Sequence, residues 1–205
     1  MNRLLLPLLP LAALGALVLS GCGAAEPESR AAATPACPAE WRAGWQKLAD
    51  RIDAPVYCPR WLPSPLRAEI GGPGASANSV DPDGSYLVGF IYKEGVQENH
   101  VNFRGYPGKT AIPTCIDTQV GAGKTRRRKL PCFSDPSGQK RAGGIVATVY
   151  TVNQDADQWH VLYAWRRKGS LYTISEHVAP PFTFSGVVRN LDRMLRSLVL
   201  VEPRS

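Results

Sequence analysis

The chain alternates between two hydrophobic periods. Between residues 38 and 52, Trp41, Trp45, Leu48 and Ile52 recur at helical spacing, and Pro38 suits a first turn, so the pattern predicts an amphipathic helix with an aromatic stripe facing a core. The segment 55–66 follows with Pro55, Pro59, Pro63 and Pro65, which cannot serve a central strand and predict an extended, stiff piece of chain at an edge. Period-two patterning then takes over. In 85–93 nearly every position is apolar, as in a central strand buried on both faces. In 99–104 Val101 and Phe103 alternate with His100, Asn102 and Arg104, which predicts the return strand of a hairpin after the turn at Lys93-Glu94-Gly95. The segments 145–152, 159–167 and 170–177 predict three further strands in a meander, the last two joined by the tight Lys168-Gly169 turn.

A final helical stripe of Val188, Leu191, Leu195 and Leu198, opening at Ser185 as N-cap, predicts a C-terminal helix packed on the sheet. Runs of strands between two terminal helices, without βαβ alternation, place the chain in the α+β class with an antiparallel sheet. No repeat of fixed period interrupts this, and 37–205 has the length of a single domain able to bury its own core.

The first residues obey neither period. A short basic head at Arg3 precedes an apolar run from Leu4 to Leu19, too short for a membrane span and ending in small residues, which reads as a secretory signal over 1–21. Its end, Leu19-Ser20-Gly21-Cys22, resembles the lipobox of bacterial lipoproteins. The resemblance implies cleavage before Cys22, lipidation of Cys22 and a folded domain tethered to the extracytoplasmic face of a cell membrane. Residues 22–36, rich in Ala, Pro, Glu, Ser and Thr, have little to bury and read as a flexible tether of about 20 Å mean reach.

An exported chain changes the meaning of its cysteines. Of the five, Cys22 is assigned to lipid, which leaves Cys37, Cys58, Cys115 and Cys132, an even number in an oxidising compartment. Four cysteines allow three pairings; Cys37 with Cys58 and Cys115 with Cys132 are preferred because each pair brackets one local unit, the second stapling the base of a hairpin. A four-thiolate zinc site is disfavoured because neither pair has the usual close spacing.

Trp61-Leu62-Pro63-Ser64-Pro65-Leu66 is similar to a Tyr-Leu-Pro-x-x-Leu entry of extracytoplasmic domains in Gram-positive lipoproteins and of the outer domains of membrane-anchored anti-sigma factors. The segments 143–150, 162–165, 172–174 and 194–198 resemble the ends of those domains. The resemblance implies a curved antiparallel sheet wrapped on a helix, related in some cases to carriers of acyl chains. It rests on packing residues and implies no activity.

Candidate chemistry is sparse. Gly121-Ala122-Gly123-Lys124-Thr125 lacks the first glycine of a phosphate-binding loop, where Thr118 stands. GxSxG is missing, SxxK does not occur with its partner motifs, and no pair of acids is spaced for general acid–base work. His100, His160 and His177 fall on three separate strands without a ligand spacing, so the sequence predicts neither metal nor cofactor. Asp81-Pro82-Asp83-Gly84 and Asp155-Ala156-Asp157 are explained by turn chemistry.

Removing 1–21 takes away only Arg3, so the formal charge falls from +7 to +6. The run Arg126-Arg127-Arg128-Lys129, expected at a hairpin tip, is a candidate contact for anionic headgroups or an envelope polyanion; location argues against nucleic acid. Tyr57, Trp61 and Trp159 are candidate ligand contacts, and Trp165 reads as core. Together these features predict a non-enzymatic binding or sensing lipoprotein with a membrane, polyanion, lipid or protein partner. An acyl-chain carrier and an envelope hydrolase are the alternatives.

Overall fold

The computed structural model describes residues 36–121 and 124–204, which belong to one compact unit. The signal segment 1–21, Cys22 and the tether up to residue 35 lie outside the described residues. Helix α1 (Ala39–Ile52) leads into β1 (Val56–Pro59), β2 (Ala75–Val80), β3 (Tyr86–Glu94) and β4 (Gln97–Tyr106). A ribbon of β5 (Thr114–Gly121) and β6 (Lys124–Pro131) follows. Then come β7 (Phe133–Ala142), β8 (Ile145–Asn153), β9 (His160–Arg167), β10 (Ser170–His177), α2 (Phe184–Ser197) and β11 (Leu198–Val201). Seven strands form one antiparallel sheet in the order β2-β3-β4-β10-β9-β8-β7, flanked by the two-stranded pairs β5-β6 and β1-β11. The α+β class, the antiparallel sheet and the two terminal helices are as the sequence predicts.

Strand β10 sits in the middle because it can be buried on both faces: Ser170 to Glu176 are all buried. On one face its register makes three cross-strand rows with β4 and β9, namely Val101–Glu176–Val161, Phe103–Ile174–Tyr163 and Gly105–Tyr172–Trp165. These rows share a core with Trp41, Trp45 and Leu48 of α1 and with Val187, Leu191, Met194 and Leu195 of α2. Trp45 packs edge-on to Phe103 with ring centroids 5.6 Å apart, and its indole N–H donates to the Ala68 carbonyl at 2.8 Å. Each such fully buried side chain stabilises the fold by roughly 1.5–3 kcal/mol. Gly105 is required by this packing, since a Cβ there would run into the ring of Tyr86.

Several boundaries differ from expectation. The segment 85–93 lies inside the sheet but is not its middle strand, because its far end, Lys93 and Glu94, runs out to solvent. The C-terminal helix is capped by Thr183, whose Oγ1 accepts from Gly186 N at 3.2 Å, and not by Ser185. Leu198 has left the helix: the β-compatible Leu198–Val201 pairs with Val56–Pro59, so the proline-rich segment becomes half of a two-stranded sheet. Both expected disulfides form, Cys37–Cys58 linking the start of α1 to β1 and Cys115–Cys132 closing the base of the β5-β6 ribbon. In the chain-entropy model each contributes about 3 kcal/mol by restricting the unfolded chain.

Glu176 is the exception in the apolar face. Flanked by Val101 and Val161 and fully buried, it accepts one hydrogen bond, from Asn190 Nδ2 of α2 at 2.7 Å. Burial outweighs that bond and pushes the carboxyl up to about 8. The native state therefore holds a proton that the unfolded chain releases near 4.5, and stability is full below that pH and falls as pH rises towards 8. Glu176→Gln should match wild type in urea unfolding at pH 4 and exceed it by about 2–4 kcal/mol at pH 7.5. Equal stability of the two at pH 7.5 would show that burial does not hold the proton.

Candidate functional site

The same register builds a different surface on the opposite face of β4, β10 and β9. Its rows read Tyr106–Leu171–Arg166, Arg104–Thr173–Ala164 and Asn102–Ser175–Leu162. One step further His177 faces His160 across the β9-β10 ladder, and His100 lies one residue past the last β4-β10 pair, Glu176–Val101. Residues two apart share a face of a strand, so three histidines distant in sequence become neighbours in one row. Their ring centroids are 4.9 Å apart for His100 and His160, 5.2 Å for His160 and His177, and 6.2 Å for His100 and His177. One nitrogen from each ring lies within 4.8 Å of one from each of the others. His160 is buried, whereas His100 and His177 reach the surface.

A polar network holds the row from behind. Asp157, buried at the end of a single 3-10 turn (Asp155–Asp157), accepts from Ser175 Oγ at 2.6 Å and from Asn102 Nδ2 at 3.0 Å, and pairs with Arg104 Nε at 2.9 Å. Asn102 Nδ2 also donates to the Ala156 carbonyl at 2.9 Å, which fixes its Oδ1 as an acceptor. His177 Nδ1 meets Glu98 Oε1 at 2.9 Å, and Lys93 pairs with the other Glu98 oxygen at 2.8 Å. Burial would raise the Glu98 carboxyl, but Lys93 and His177 outweigh it and hold it below the usual range.

These bonds assign the ring protons. Ser175 donates its hydroxyl hydrogen bond to Asp157, so His160 Nδ1, 2.9 Å from Ser175 Oγ, must donate, and the lone pair sits on Nε2. Glu98 can only accept, so His177 Nδ1 carries a proton, and Nε2 is the ring nitrogen not engaged by it. His100 Nε2 lies 3.1 Å from Asn102 Oδ1 and donates to it, which leaves the lone pair on Nδ1. Burial lowers the pKa of His160 well below the usual histidine range, against the pull of Asp157, and lowers that of His100 against Glu98. Both rings are neutral at physiological pH. The arrangement thus offers imidazole lone pairs to a ligand. Ser175 does not complete a nucleophile, being wholly buried with its hydroxyl hydrogen-bonded to Asp157.

Trp159 stands at the rim. Its backbone takes the left-handed conformation at φ +66°, uncommon for a bulky residue, and its ring is 73% exposed. Its carbonyl accepts from Val178 N at 3.0 Å, which ties it to the residue after His177. The strand begins at His160, so the expected strand start at 159 is corrected by this turn.

The remaining sequence-derived candidates separate. Tyr57 is corrected from ligand contact to core: it is 5% exposed and packs edge-on to Trp165 and Tyr172 at 5.1 and 5.0 Å, because its strand pairs with β11 over the sheet. Trp61 is half-buried, with the Arg193 guanidinium 4.1 Å above its ring. Arg126, Arg127, Arg128 and Lys129 are exposed but do not form a tip; they run along β6, so the strand's alternation sends Arg126 and Arg128 to one face and Arg127 and Lys129 to the other. Arg128 pairs with Asp117 at 3.0 Å. The turn residues 122 and 123 lie outside the described residues.

Asp157→Ala removes the acceptor shared by Ser175 and Asn102 and the charge partner of Arg104. It should cost about 3–5 kcal/mol in urea unfolding at pH 7, as expected when a buried charge pair loses one member. A loss under about 1 kcal/mol would mean that water replaces Asp157 and that the network does not hold the row. Comparisons of the chain with family models, with curated proteins and with solved structures found no match, so the reading of this site stands on its own geometry.

Proposed function

We propose that the protein is a non-enzymatic binding lipoprotein, held at the extracytoplasmic face of a membrane by lipid on Cys22, with the histidine row and Trp159 as its ligand surface. The sheet, curved around its helices, serves as a rigid frame for that surface. The observation that carries this reading is local. At one point the chain keeps a bulky residue in left-handed backbone and its indole in solvent, immediately before His160 and hydrogen-bonded to the neighbour of His177. Strain and apolar exposure each cost stability, and their coincidence beside convergent polar side chains favours a binding role.

The membrane address rests on the Leu19-Ser20-Gly21-Cys22 motif and is consistent with two disulfides, which persist in oxidising compartments. The exposed cations of β6 supply a second contact for anionic headgroups or an envelope polyanion, each cation near such a surface adding about 1 kcal/mol. The carrier alternative is less well supported, because the space between sheet and helices is filled by Trp45, Phe90, Phe103, Ile174 and Leu191. The hydrolase alternative lacks a nucleophile at the row, given the engagement of Ser175.

Expressed in a lipoprotein-processing host, the full chain should partition with membranes, and Cys22→Ala should release most of it to the soluble extracytoplasmic fraction. Mixed with envelope extract and examined by native mass spectrometry, the wild type should retain a ligand mass that Trp159→Ala holds at least about tenfold more weakly. Membrane partition unchanged by Cys22→Ala would refute the anchor, and retention unchanged by Trp159→Ala would refute the surface.

A further inference from the structure

We propose that His100, His160 and His177 bind a divalent transition metal ion, one imidazole nitrogen from each, with a fourth coordination position open towards solvent beside Trp159. This deepens the reading of the histidine row as the ligand surface and rests on it.

The donors are prepared for this chemistry. Each ring has one nitrogen committed as an N–H donor, to Ser175 Oγ, Asn102 Oδ1 or Glu98 Oε1, at 2.9 to 3.1 Å. The remaining nitrogens, His160 Nε2, His100 Nδ1 and His177 Nε2, make no hydrogen bond among the described residues, although His100 Nδ1 faces Glu98 Oε1 at 3.6 Å. Metal-ligating histidines characteristically give their other N–H to a carboxylate, carbonyl or similar acceptor, which fixes tautomer and ring orientation and raises basicity. Here Glu98 does so directly and Asp157 does so through Ser175. The two carboxylates also place negative charge behind the rings.

The spacing suits an ion after a small adjustment. Tetrahedral zinc with bonds of about 2.0–2.1 Å holds its nitrogens about 3.3 Å apart. One nitrogen of each ring lies within 4.8 Å of one from each of the others, so the three rings need to draw together by about 1.5 Å, with rotation to present the uncommitted nitrogens, to hold an ion. His160 is fixed in the sheet, while His100 and His177, at the surface, can supply that movement by side-chain rotation. Three imidazole nitrogen donors without thiolate select a borderline ion of the Zn²⁺ or Cu²⁺ type over Ca²⁺ or Mg²⁺, which take oxygen ligands. Three protein ligands leave the fourth position for water or for a group of an incoming ligand.

The test is calorimetric titration of Zn²⁺ into the full chain, without affinity tag, purified in detergent and stripped with chelator. One ion per chain should bind. His100→Gln and His177→Gln, at surface positions and checked for native near-ultraviolet circular dichroism, should each weaken binding at least about 100-fold. Glu98→Gln leaves all three ligands in place and should weaken it about tenfold. Absence of saturable Zn²⁺ uptake, or uptake unchanged in both histidine variants, would overturn the proposal. If Zn²⁺ fails to bind while Trp159→Ala still impairs capture of the envelope ligand, the metal site falls and the ligand surface stands. Zn²⁺ held by the row in a protein that captures nothing from the envelope is the reverse outcome.

Discussion

Everything in this domain depends on the register of β10 against its two neighbours. Because side chains alternate across a strand, one choice of register sends Tyr172, Ile174 and Glu176 to the helices and Thr173, Ser175 and His177 to the opposite face. A slip of β10 by one residue would turn Thr173, Ser175 and His177 towards the helices and Tyr172 and Ile174 away from them. The apolar rows on the helix side, with Phe103, Tyr163 and Trp165 on the flanking strands, make that slip costly. The polar face has its register set by hydrophobic packing on its other side.

That coupling explains why a frame dominated by packing can carry an ordered polar site. Asp157 arrives from a 3-10 turn before β9, and Glu98 from the start of β4; both reach the row at its open end, where the ladder runs out. The network is well satisfied at Asp157, and each imidazole keeps one ring nitrogen outside it. Glu176, one residue from His177 but on the helix face, shows the contrasting case: a carboxyl without a charged partner, kept neutral by burial.

Much of the fold was legible in the sequence, because long elements with clean periodicity leave little choice. Trp41, Trp45 and Leu48 announced α1, and the alternation through 145–177 announced the meander. Strands with weak patterns were not announced: β2 is small and polar, and β7 carries Pro136 and Gly138 at a register shift. Tyr57 misled because a proline-rich segment signals an edge but not what covers it, and the cover, β11, comes from the far end of the chain. The site was half legible. His160 and His177 are equidistant from the Lys168-Gly169 turn, so a two-residue hairpin already sets them opposite each other. His100 joins them only through the long-range β4-β10 pairing, which no local pattern encodes. The chemistry of the row, Asp157 and Glu98 included, follows from that one non-local contact.

The most direct measurement is anomalous diffraction at the zinc absorption edge from crystals of the protein grown with Zn²⁺. The account predicts one strong peak on the outer face of the sheet, bonded to His100 Nδ1, His160 Nε2 and His177 Nε2 at about 2.0–2.1 Å. Three rings splayed apart, or a peak held elsewhere with none at the row, would contradict it.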